Sequence, residues 1–222
     1  MCTNYRPSAR QELQDIFDAP LPSELTWPAE TYQDYLAPII LPKAGGGRTS
    51  VLAAYSMVPK KHIPPGAKRY STLNARSETI GQLRSYASAW KTGQLCLIPM
   101  RGFYEPCYET GAAVRWDIGM EGEKDFAVAG LWRMWAEPDG TQSHAFTQLT
   151  INADEHPLMK RFHKPEDEKR SLVIVAPDEF DAWLNCRDLE IARSFLHLYP
   201  AELMRASPAP KPTKQSTQES LF

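Results

Sequence analysis

Apolar residues along this chain recur mainly in short runs of β-forming composition. Val51–Val58, Gln94–Tyr104, Ala112–Ile118, Phe126–Trp135, Ala145–Ile151 and Ser171–Ala176 are rich in Val, Ile, Trp, Tyr and Phe, with Gly and Pro at their edges, and predict strands. Between them, Thr79–Trp90 places Ile80, Leu83, Tyr86, Ala87 and Trp90 along one face, the spacing of an amphipathic helix. Pro177 suits the first turn of a short helix carrying Phe180, Trp183 and Leu184. Asp188–Leu198 repeats the pattern with Leu189, Ala192, Phe195 and Leu196. Strands without regular helical alternation predict an α+β domain and not a doubly wound sheet. The core pattern stops near Met204. Beyond it lies ASPAPKPTKQSTQESLF, whose only large apolar residues are its last two, too few to offset the entropy of ordering it. The expected organisation is one domain over residues 1–205 and a disordered tail over 206–222.

Composition narrows the class. A chain of 222 residues, 42% hydrophobic and 23% charged, has the makeup of one soluble globular domain with a substantial core. It has no run of about 18 apolar residues, and its start lacks the apolar stretch of a secretory signal, so a cytoplasmic protein without a membrane segment is expected. The formal net charge of −2 argues against indiscriminate coating of duplex DNA, which calls for an overall basic protein. Any nucleic-acid contact would be a local groove. Basic residues do cluster at Lys60, Lys61, Lys68 and Arg69, at Arg76, and at Lys160, Arg161 and Lys164, although each cluster alone reads first as a solvated loop.

The four cysteines, at positions 2, 96, 107 and 186, form no CxxC pair and no disulfide framework. Cys96, within LCLIP, reads as a small buried hydrophobe. Cys2 differs by position. With Met1 removed it presents an α-amine and a thiol on one residue. The amine has a reference pKa of about 8 and is substantially neutral near pH 7. It can attack an aldehyde to give an imine, on which the thiol closes as a five-membered thiazolidine. A frayed terminus with an accidental cysteine is the bland alternative. Three other segments carry chemistry. RGFYEP ends a strand with Glu105. NARSE offers an amide, Asn74, and a guanidinium, Arg76, with helix capping by Ser77 or Glu78 as the alternative reading. HPLMKRFHKP holds two histidines, for which a single general acid–base is a better reading than a metal pair lacking a third ligand.

Taken in order across residues 1–198, these segments resemble the SOS-response-associated peptidases, the SRAP domain. MCTNY is similar to the family's Met-Cys-Gly-Arg-Tyr start, AAYSMVPKKHIP to its Trp-Gly-Leu-Ile-Pro strand and loop, and NARSET and CLIPMRGFYE match nearly letter for letter. FAVAGLW resembles its Phe-x-x-Ala-Gly-Leu-Trp strand, and TINADEHPLMKRFHKP with SLVIV and DAWL its closing segments. The resemblance implies a single domain with a mixed, largely antiparallel, curved β core flanked by short helices. It implies a protein that crosslinks to ring-opened abasic sites in single-stranded DNA through a thiazolidine on Cys2, needing no cofactor or metal. Autoproteolytic removal of Met1 and an abasic-site lyase activity are implied with it. By position, Cys2 is the nucleophile, Asn74 orients it or the deoxyribose, Glu105 shuttles protons, His163 assists ring opening and Arg76 holds a phosphate. Lys60, Arg101 and Lys164 are further candidates for the DNA backbone, and Tyr55 for stacking on a base. The chain departs from the family at Thr3-Asn4, at Ala54-Tyr55-Ser56, after His163, and in the insertion EDEKR at 166–170. These departures bear on DNA affinity and strand preference rather than on the chemistry.

Two rival functions keep Cys2 or dispense with it: an N-terminal-nucleophile amidohydrolase or peptidase, and a non-catalytic adaptor. The chain ends QESLF, similar to peptides that bacterial repair proteins insert into the sliding clamp, with Gln218 for hydrogen bonds and Leu221 and Phe222 for an apolar pocket. Such a tether would hold the domain at replication forks on the nucleoid.

Overall fold

The middle of the chain closes on itself. The computed structural model describes residues 2–211. Its elements in chain order are β1 (Tyr5–Pro7), α1 (Arg10–Asp15), β2 (Leu36–Pro42), β3 (Arg48–Tyr55), β4 (Asn74–Arg76), α2 (Ala87–Lys91), β5 (Leu95–Cys107), β6 (Val114–Met120), β7 (Phe126–Ala136), β8 (Gln142–Asn152), β9 (Arg170–Leu172), β10 (Ile174–Val175), α3 (Phe180–Asn185), α4 (Leu189–Ser194) and β11 (Met204–Pro208). The path β2-β3-β8-β7-β5 returns to β2, because β5 pairs with both β7 and β2, so five strands form a barrel. The remaining strands extend or flank it. Only β3 and β4, each against β8, pair in parallel. The mixed, largely antiparallel α+β architecture expected from the sequence is therefore the observed one.

Both faces of the barrel wall are buried, which explains near-continuous apolar runs such as LCLIPM. Outward residues Leu95 and Leu97 pack with Leu13, Trp90, Phe180 and Trp183 of the helical segments. Inward residues Cys96, Ile98, Val128 and Phe146 pack with Tyr5, Tyr55 and Phe103. Gly130 allows this closure. A Cβ there would lie 2.8 Å from the Thr147 carbonyl oxygen, 2.9 Å from Cys96 Sγ and 2.6 Å from Ile98 Cδ1. The carbonyl belongs to a paired strand and has no room to retreat. Gly130→Val is expected to cost about 1–3 kcal/mol or more by overpacking, read as a lowered denaturant midpoint with an unchanged slope.

The structure corrects several expectations. The helix expected over Thr79–Trp90 is a series of turns followed by α2. Ile80, Tyr86 and Trp90 are buried but Leu83 is 48% exposed. Arg193 packs against this segment, lying 5.4 Å over the Trp90 ring and donating to the Ser77 carbonyl at 3.2 Å. LAPIILP, for which no strand is predicted above, is β2, which meets β5 only at Ile40↔Leu97 and so tolerates Pro38. NAR, read beside a helix cap, is β4. Ala206–Pro208, assigned to the tail, continue β11 against β6, and Ala209 donates to the Arg115 carbonyl at 2.8 Å. Met1 and the tail residues Gln218, Leu221 and Phe222 lie outside the described residues. Among the described residues no helix is long and apolar enough to cross a membrane.

Candidate active site

The N-terminal arm reaches the site as a strand. Tyr5 and Arg6 pair with Phe103 and Gly102 of β5, while Tyr5 exchanges backbone hydrogen bonds with Thr31 on the other side. A Cβ on Gly102 would lie 2.8 Å from Asp117 Oδ1, so glycine is what lets the arm and β6 approach β5 together. Tyr104 donates its N–H to the Asn4 carbonyl at 3.2 Å. Asn4 Nδ2 in turn donates to Glu30 at 3.0 Å, where Arg115 and Tyr32 also converge. Asn4 thus serves as an anchor for the arm.

This arm delivers Cys2 to the barrel end at 1% exposure. Its carbonyl oxygen accepts hydrogen bonds from Asn74 Nδ2 at 2.7 Å and Tyr55 Oη at 3.0 Å. Its Sγ lies 3.4 Å from the Asn4 carbonyl. Burial, and next the negative charge of Glu105, push the thiol pKa well above its ordinary value. The resting sulfur is therefore a neutral thiol.

Glu105 on β5 and His163 are both buried, with Glu105 Oε2 3.1 Å from His163 Nε2. The two side chains lie within ion-pair distance of each other. His163 holds φ +66°, a left-handed backbone costly for a side chain. The conformation is pinned by its own N–H donating to the Pro106 carbonyl at 2.9 Å and by the bridge between Phe162 and Cys107. His156 is occupied elsewhere. Its Nε2 donates to the Tyr199 carbonyl at 2.8 Å and its Nδ1 accepts from the backbone of Leu158 and Met159.

The structure thus brings Cys2, Asn74, Glu105 and His163 together. The proposed DNA contacts fare unevenly. Tyr55 is wholly buried, stacked on Phe146 at 5.2 Å and edge-on to Tyr5, so it offers no face to a base and instead holds Cys2. Arg76 is exposed at the edge of β4 and paired with Glu168 from the charged insertion. Burial works to raise the Glu168 carboxyl, but hydrogen bonds from Arg170 and Asn152 outweigh it and bring it down to about 2. Arg170, almost fully buried, anchors the insertion by bonding Glu168, both oxygens of Glu78 and the Thr150 carbonyl. Lys164 is exposed beside His163. Lys60 lines a cavity of about 570 Å³ with Asp34, Leu36 and His144, and Arg101 pairs with Asp125 on a cleft of about 420 Å³ with Trp27. Neither cavity is lined by Cys2, Asn74, Glu105 or His163. Sequence reasoning missed Gln148, wholly buried 2.9 Å from Tyr55 Oη. Its signal was an amide two positions from Phe146, on the same inward face of the strand.

Solved structures similar to this chain share the architecture. A protein from Bordetella bronchiseptica superposes with a TM-score of 0.83 at 29% identity, covering 94% of this chain and 99% of its own. One from Bacteroides thetaiotaomicron gives 0.75 at 18%, covering 95% and 93%, and speaks to the fold alone. Among curated proteins, the abasic site processing protein HMCES of Xenopus tropicalis is 21% identical over 156 residues. The match spans 62% of this chain and 45% of that protein's length. The family model described as SOS response associated peptidase (SRAP) matches residues 1–214.

Proposed function

The chain belongs to the SOS response associated peptidase family, and from that premise we propose that it processes abasic sites in single-stranded DNA by a covalent bond through Cys2. The observation that carries this is the hydrogen bond from Asn74 to the Cys2 carbonyl at 2.7 Å, beside a buried Glu105–His163 pair whose glutamate charge acts on the Cys2 thiol. Removal of Met1 frees the α-amine. The amine adds to the C1′ aldehyde of the ring-opened deoxyribose, and the carbinolamine loses one water to become an imine. The Cys2 thiol then adds to the same carbon, its proton passing to the ring nitrogen. Glu105 and His163 carry the protons of ring opening, dehydration and closure. The imine is also the species from which a lyase would eliminate the 3′ phosphate, and the neighbouring thiol diverts it into the thiazolidine.

Arg76 takes the phosphate beside the lesion in exchange for Glu168, and Lys164 adds charge next to His163. Lys60 and Arg101 contribute at longer range. The terminal Gln218, Leu221 and Phe222 tether the domain to a sliding clamp. An amidohydrolase would share Cys2 but needs donors aimed at a substrate oxygen, and the amide of Asn74 and hydroxyl of Tyr55 are directed at the chain's own carbonyl.

The test is to incubate the protein with a single-stranded oligonucleotide carrying one abasic site and resolve it on a denaturing gel. A heat-stable shifted band, absent with intact DNA, is the expected result. A protein shown by mass to begin at Cys2 that gives no band would overturn the proposal, and amide turnover in its place would favour the amidohydrolase.

A further inference from the structure

Tyr55 and Gln148 form a buried polar pair that the chemistry above leaves unused. Both are fully buried at inward positions of the barrel. Tyr55 Oη lies 3.0 Å from the Cys2 carbonyl oxygen and 2.9 Å from Gln148 Oε1, while Gln148 Nε2 finds no hydrogen-bond partner among the described residues. A phenol has one hydrogen to give and cannot serve two acceptors. The carbonyl can only accept, so the hydroxyl donates to Cys2. Turning the Gln148 amide about its last bond exchanges oxygen and nitrogen at little steric cost and lets its N–H donate to the phenol. The result is a directed chain from Gln148 through Tyr55 to Cys2.

Burying an amide and a phenol is costly unless they are hydrogen-bonded. Leucine and phenylalanine of similar size would fill the same space with nothing to satisfy. The barrel interior around them is mostly apolar, lined by Tyr5, Ile98, Phe103 and Phe146. A carbonyl gripped by Asn74 alone can still swing about that bond, whereas a second donor from another strand fixes its plane. The register supplies that second grip: β8 pairs Phe146 with Tyr55 and Gln148 with Asn74, so both donors are set by one strand.

We infer that Tyr55, held by Gln148, is a positioning residue that fixes the Cys2 peptide, and hence the amine and thiol, against the incoming aldehyde. This rests on the function proposed above. The variant to make is Tyr55→Phe with Gln148→Leu, which removes both partners and orphans neither. At saturating abasic DNA its crosslinking rate constant should fall roughly ten- to a hundredfold, with affinity for a strand bearing the tetrahydrofuran analogue, which has no aldehyde, unchanged. Iodoacetamide should alkylate Cys2 faster than in wild type, while Cys96, Cys107 and Cys186 keep their rates. Tyr55→Phe alone should match the double variant in rate. Wild-type crosslinking and Cys2 alkylation in the double variant would overturn the inference, as would a loss of affinity equal to the loss of rate. A wild-type protein that never crosslinks defeats the proposed function instead, and the alkylation rates then decide the role of Tyr55 by themselves.

Discussion

Cys2→Ala is expected to give no heat-stable complex with abasic single-stranded DNA, even after prolonged incubation. The alanine chain keeps its α-amine and therefore its capacity to form an imine, which hydrolyses on heating. What it lacks is the atom that closes the ring. Cys2→Ser should behave similarly, because a hydroxyl closes on an imine far less readily than a thiol, yet borohydride should trap its imine and reveal that the amine is in place. Cys96→Ser, Cys107→Ser and Cys186→Ser should crosslink in proportion to the folded protein. Cys96 faces the barrel interior, Cys107 packs where Phe162 bridges β5, and Cys186 caps α3 with its thiol on the Asp188 carbonyl. A chain that retains Met1 has no free amine on Cys2 and should be inert. Intact mass paired with gel shift checks each case, and a Met1-retaining chain that still crosslinks would remove the mechanism.

Glu105→Gln and His163→Ala should each slow crosslinking by about 10²–10⁴, the usual contribution of a general acid–base group. The side chains stand 3.1 Å apart and serve the same proton transfers. Their double variant should therefore lose much less than the product of the two singles. Glutamine keeps the volume of the buried Glu105, so the melting curve separates chemistry from collapse. Single-turnover kinetics at saturating DNA are the measurement. Wild-type rates in both variants, or a slow His156→Ala in their place, would reassign the acid–base residues.

What was legible in the chain followed from local pattern. Phe126–Trp135 and Gln94–Tyr104 announced themselves because β-branched and aromatic residues on a doubly covered wall leave a continuous apolar signature. The same reasoning stopped β5 short, since Glu105 and Pro106 look like an end and are instead carried onward by pairing with β6. β2 and β4 were hidden for a related reason: a proline-bounded run and a three-residue segment become strands only through distant partners. Cys2, Asn74, Glu105 and His163 were picked out by residue type and resemblance, and the fold sets them side by side. Tyr55 was misread because an aromatic in a strand gives no sign of which face it occupies. Its hydroxyl partner, Gln148, lies 93 residues away, beyond any local pattern.

The assembly of this site also has a timetable. Residue 2 leaves the ribosome long before Gln148 and His163 exist, and at about 5–20 residues per second the delay is on the order of ten to thirty seconds. The barrel cannot close in that interval, because β5, β7 and β8 are still being made. Cys2 then stands in open water, reachable by an aminopeptidase and by any stray aldehyde. Once β8 docks, the same residue is 1% exposed. The seconds of synthesis are therefore a window in which a separate enzyme can reach the start of the chain, before the barrel encloses Cys2.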